Sequence, residues 1–82
     1  MDLYVAYLGG PLDEGRMGEG HEVVLVVAAD PAEAKARATA KWRGAPPGHL
    51  DALERIVRVG GYTVRLDESD DPADEVELET FN

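Results

Sequence analysis

The sequence contains no cysteine. That excludes a disulfide framework, a thiolate metal site and a cysteine nucleophile. Ser69 is the only serine, and it lies in an acidic stretch near the C-terminus. Thr39 and Thr63 have no base close to them in sequence, so little is on offer for nucleophilic catalysis. No stretch approaches the roughly 20 apolar residues needed to span a bilayer. Met1-Asp2-Leu3 lacks the positive charge and small-residue cleavage site of a secretory leader. A soluble, cytoplasmic protein with no membrane partner is therefore expected. At 82 residues the chain is expected to be one small domain with a thin core, stabilised by packing, with a partner subunit as a further source of stability.

Basic residues are missing from one region only. Asp67, Glu68, Asp70, Asp71, Asp74, Glu75, Glu77 and Glu79 have no Lys or Arg among them, whereas residues 1–66 hold nine acids against eight bases, a net of −1. The formal charge of −9 is thus a property of the tail. The expected organisation is a domain over residues 1–66 and an acidic tail over 67–82. Self-repulsion in the Asp-Glu-Ser-Asp-Asp-Pro run predicts disorder there. An acidic tail also argues against non-specific binding to nucleic acid or membranes.

What is present is mostly strand. His21 to Ala29 carries apolar residues on both faces, since successive strand side chains point opposite ways. It is expected to be the ribbon around which the sheet forms. Leu3 to Leu8 predicts a first strand, with Leu3, Val5 and Tyr7 on one face and Tyr4, Ala6 and Leu8 on the other. Residues 9–20 hold five glycines but no lysine, and a strand rather than a helix follows, so they read as a hairpin loop and not a phosphate cradle.

Asp30-Pro31-Ala32-Glu33 is a helix start, with Asp30 as cap, Pro31 in the first turn and Glu33 at the capping-box position. Gly44 supplies the stop, after Lys41 and Arg43. The residues between alternate small and polar, but alanine favours helix over strand. The buried stripe is then Ala34, Ala38 and Trp42, joined in the core by Leu25, Val27 and Tyr7. Truncating a buried Trp42 to Ala is expected to cost about 3–5 kcal/mol.

Leu53–Val59 and Tyr62–Leu66 flank Gly60-Gly61 as a hairpin. Val76 to Phe81 alternates apolar and acidic residues and can add an edge strand, in this chain or a neighbouring one. The sum is β-β-α-β-β, an α+β fold: a small antiparallel sheet with one helix packed on one face.

Several of these pieces, taken in order, resemble the small bacterial family called domain of unknown function 1543. They are Leu3-Tyr4-Val5 with Tyr7-Leu8-Gly9-Gly10, His21 followed by an acid, Lys41-Trp42 with Gly44, His49-Leu50-Asp51 opening the third strand, and Gly61-Tyr62. The resemblance covers residues 2–66. Glu22 stands where the family has an aspartate, Gly20 where it has an apolar residue, and Arg43 where it has an aromatic. The family implies the fold and no activity.

Chemistry has one candidate cluster. His21, Glu22, His49 and Asp51 sit at strand starts, and together they offer nitrogen and oxygen donors for a divalent metal or an acid–base pair. Glu22 points away from His21 on an extended chain. Lys35, Arg37, Lys41 and Arg43 make the helix basic, a surface for an anionic partner or for the folded-back tail. The reading these residues favour is a non-enzymatic protein-interaction or oligomerisation module, a homodimer with no cofactor. The alternatives are a metal-binding or acid–base enzyme using His21, His49 and Asp51, and a nucleic-acid-related protein using the basic helix or a tail that mimics nucleic acid.

Overall fold

The computed structural model describes residues 1–12, 18–71, 73 and 76–82. Asp13, Glu14 and the rest of 13–17, within the expected hairpin loop, and Pro72, Asp74 and Glu75 of the tail lie outside the described residues. Strand β1 spans Asp2–Pro11, β2 Glu19–Ala28, helix α1 Pro31–Thr39, and β3 His49–Arg55. A two-residue hairpin, β4 Arg58–Val59 and β5 Tyr62–Thr63, completes the ordered elements. The main sheet runs β2-β1-β3, antiparallel throughout. This is the expected α+β arrangement with one helix on one face.

The centre of the sheet is β1, not the ribbon that begins at His21; β2 is an edge strand. Both strands are apolar on both faces, so composition does not reveal which lies between neighbours. What decides is β3, which returns to pair with β1 through Arg55. The backbone then continues that pairing for one more residue, the Ile56 N–H donating to Leu3 O at 2.9 Å. Leu53–Arg55 therefore belongs to the main sheet, and the later hairpin is shorter than expected. Its ladder is extended by one bond, from Val64 N–H to Val57 O.

Helix α1 starts as its sequence dictates. Asp30 is extended and accepts the Glu33 N–H at 2.8 Å, and Pro31 fills the first turn. The helix ends at Thr39, short of Gly44. There the Lys41 N–H bonds Ala38 O and the Trp42 N–H bonds Thr39 O, both three residues back, which tightens the last turn.

The core lies between the helix and the Tyr4, Ala6, Leu8 face of β1, joined by Val26 and Ala28 from β2 and Ala34 and Ala38 from α1. Leu25, Val27 and Tyr7, expected in the core, are each 38% exposed on the opposite face. The reason is size. Ala6, Ala28, Ala34 and Ala38 are completely buried. Only the face carrying Ala6 and Ala28 lets an alanine-striped helix come close enough to make continuous contact.

Trp42 closes one end of this core, and glycines shape its seat. A Cβ on Gly48 would lie 2.4 Å from Trp42 Cγ, one on Gly44 2.3 Å from Cζ2, and one on Gly10 3.0 Å from Cζ2. The indole N–H donates to Ala45 O at 2.9 Å. The ring is half-buried and anchors the end of α1 as its position in the sequence predicts.

Candidate functional site

The helix covers one face of the sheet, and the other is open. On it the β1–β2 register sets Leu3 beside Val27, Val5 beside Leu25, and Tyr7 beside Val23. Paired residues of an antiparallel ladder share a face, so these six apolar side chains form one patch. Val23 is 65% exposed at its edge.

One end of the patch is polar, and there the two histidines meet. Gly9 pairs with His21 on one side and His49 on the other. Strand β3 carries a bulge: Tyr7 pairs with Ala52 but Leu8 pairs with Leu50, leaving Asp51 as the extra residue. The bulge turns the Asp51 side chain over Gly9, where a Cβ would lie 2.8 Å from Asp51 Oδ2 and 2.9 Å from His49 Nε2. The Asp51 carboxylate thus sits between the imidazoles. Oδ1 is 3.0 Å from His49 Nε2, and Oδ2 is 3.8 Å from His21 Nδ1.

Three of the four residues in the predicted cluster therefore converge. Glu22 does not; it faces the helix side and its Oε1 accepts the Arg43 N–H at 3.1 Å. Its place is taken by Glu19, whose Oε1 lies 3.6 Å from His49 Nε2. Glu19 precedes His21 by two residues, so strand alternation alone puts it on the same face. The imidazole side chains of His21 and His49 are 70% and 51% exposed and Asp51 is 44% exposed. Pairs in such water-rich surroundings contribute about 1 kcal/mol or less even when the imidazoles are charged. Among the described residues, no group of three or more His, Cys, Asp or Glu is arranged to hold a metal ion.

The basic helix residues divide. Arg37 pairs with Glu33 at 3.0 Å and donates to Val27 O at 3.0 Å, reaching the free edge of β2. Lys41, one turn on, lines a groove of about 650 Å³ along the same edge, with Leu3, Leu25, Val27 and the tail residue Val76. Lys35 and Arg43 are exposed away from that groove. The four bases are therefore not one surface. No helix among the described residues is long and apolar enough to cross a membrane.

This architecture defines a class: a small α+β domain with a helix on one sheet face and an apolar patch on the other. The family model described as Domain of Unknown Function (DUF1543) matches residues 16–66, more than half of the sequence, and the chain belongs to that family. The match begins after β1, so the Leu3–Gly10 part of the resemblance lies outside it. No curated protein and no solved structure matches the chain.

Proposed function

We propose that this protein is a non-enzymatic interaction module whose occupant is a second copy of itself, docked through the open face of the main sheet. The observation that carries this is the uncharged patch of Leu3, Val5, Tyr7, Val23, Leu25 and Val27. A two-fold axis through the patch sets it against itself, and two sheets packed face to face bury their inner side chains as a sandwich does. The Glu19, His21, His49 and Asp51 group then forms part of a polar rim.

Size sets the strength. Ten residues at about 3.4 Å each and the two strands that carry the patch, about 4.8 Å apart, give a footprint of roughly 330 Å² per copy, since on the third strand Glu54 pairs with Val5 and places a charge on this face. Doubled, this lies below the roughly 1,200 Å² at which stable specific interfaces begin, so the dimer is weak and readily reversible.

Light scattering across the micromolar range tests it. The parent chain is expected to shift toward dimer as concentration rises, and Val23→Lys to remain monomeric with an unchanged melting temperature. A parent that is strictly monomeric at high micromolar concentration defeats the proposal.

A second reading draws on the placement of Asp51 between His21 and His49, which puts two nitrogen donors beside a carboxylate. It favours an acid–base pair, and a divalent-metal site only if the side chains move apart from their direct contact to receive an ion. The same preparations separate the two. Metal retained after purification, or a thermal shift with zinc that His49→Ala abolishes, favours this reading over the first.

A further inference from the structure

Among the described residues, the outer edge of β2 presents a defined set of backbone groups that no strand pairs. The Leu3 carbonyl accepts from Ile56 on the β3 side, so Leu3 directs its backbone away from β2. Val27, its partner, therefore directs its own backbone outward, as the Arg37 guanidinium on Val27 O independently shows. Alternation along an antiparallel ladder gives Leu25 and Val23 the same orientation. An exposed edge of this kind templates another strand.

A candidate strand stands next to it. Val76 lies in the groove with Leu25, Val27, Arg37 and Lys41, although Val76 to Asn82 forms no strand and Val76, Leu78 and Phe81 are all exposed. Val76 is at the C-terminal end of β2, so the residues after it can follow the edge only back toward Glu19, antiparallel to β2. Setting Val76 opposite Val27 places Leu78 opposite Leu25 and Thr80 opposite Val23. In that register Val76 and Leu78 extend the open apolar face, while Glu77 and Glu79 fall on the helix side, where Arg37 and Lys41 line the groove. Val76 and Leu78 meet apolar residues and Glu77 comes nearest Arg37 and Lys41, while Glu79 falls opposite Val24 and Phe81 opposite Glu22 at the far end of the match.

We infer that Val76–Phe81 docks on its own chain as a fourth strand on the free edge of β2, held by the Val23, Leu25 and Val27 backbone and by Arg37 and Lys41. The segment guards an edge that is otherwise open to any extended chain. The inference concerns the edge of the sheet and stands apart from dimerisation through its face.

Amide hydrogen exchange by NMR on the full chain tests it. Amides of Val23, Leu25, Leu78 and Thr80 are expected to exchange on the order of tenfold more slowly than those of Glu77 and Glu79, a period of two residues that general crowding does not produce. Leu78→Pro should remove the protection at Leu25 while leaving Tyr4 and Ala6 protected. Glu77→Lys with Glu79→Lys should weaken it, as should high salt. Equally fast exchange at Leu25, Leu78 and Glu77 overturns the inference. So does alternating protection at Leu78 and Thr80 that still grows with protein concentration in Val23→Lys, where dimerisation through the face is blocked, since that would assign the strand to a second copy.

Discussion

Gly48→Ala tests the seat of Trp42 most directly. Gly48 does not occupy the left-handed region, so alanine meets no backbone strain there, and its stiffening of the unfolded chain alone stabilises by about 0.4–1 kcal/mol. Against that, the new Cβ lies 2.4 Å from Trp42 Cγ, 2.6 Å from Cδ1 and 2.8 Å from Cβ. These are the root atoms of the side chain, and no rotamer change carries Trp42 Cβ away; the backbone itself has to yield. Such overpacking costs about 1–3 kcal/mol. Displacing the indole also breaks its bond to Ala45 O, worth about 1 kcal/mol more. The net is a loss of about 1–3.5 kcal/mol, or roughly 5–25 °C in melting temperature for a domain of this size. Trp42 is the only tryptophan, so its fluorescence during urea unfolding reports on the seat itself. Gly20→Ala is the control. Its Cβ would meet Leu12 Cδ2 at 2.5 Å, but Leu12 is 41% exposed and its tip can swing out, so the cost stays below about 1 kcal/mol. Equal midpoints for the two variants would refute the account of the glycine seat.

Two further changes probe the core and the helix. The Tyr4 hydroxyl is buried with no hydrogen-bond partner among the described residues, so Tyr4→Phe removes a desolvated group at no packing cost and should leave the urea midpoint unchanged or raise stability by about 1 kcal/mol. Asp30→Ala removes the acceptor for the Glu33 N–H and should lower stability by about 1 kcal/mol, with Asp30→Asn retaining most of it in the same assay.

Local signals in the sequence translate well where one residue controls one feature. Asp30 with Pro31 fixes the start of the helix, and Gly60-Gly61, both at positive φ, fix the turn between β4 and β5. Strand partnership is less legible, because Leu3–Leu8 and Val23–Val27 are apolar on both sides and either serves as a centre. The bulge at Asp51 is the clearest case. Leu50 and Leu53 are three residues apart, the wrong parity for one face of a regular strand, yet both pack against the core. One extra residue between them restores the parity, and the same residue carries the carboxylate that joins the histidines. Read as a regular strand, the segment conceals both facts. Gly20 is similar. Leu12, eight residues away, occupies the space that an apolar side chain at position 20 would fill.

The choice of covered face has a consequence for how the protein associates. A helix whose buried stripe is Ala34 and Ala38 offers little apolar area of its own, so its attachment depends on close approach, and close approach depends on Ala6 and Ala28. The bulkier residues of β1 and β2 are thereby left on the other side. Leu25 and Val27 are not surplus hydrophobes on a surface that merely tolerates them, since the alternation of each strand holds them in register with Leu3 and Val5 across its full length. Such a patch on a small monomer raises the risk of uncontrolled pairing, most of all beside an unpaired strand edge. A face that accepted one copy through a two-fold axis, together with the chain's own C-terminal segment on β2, would close the face and the β2 edge, while β3 pairs only with β1 among the described residues and keeps its outer edge.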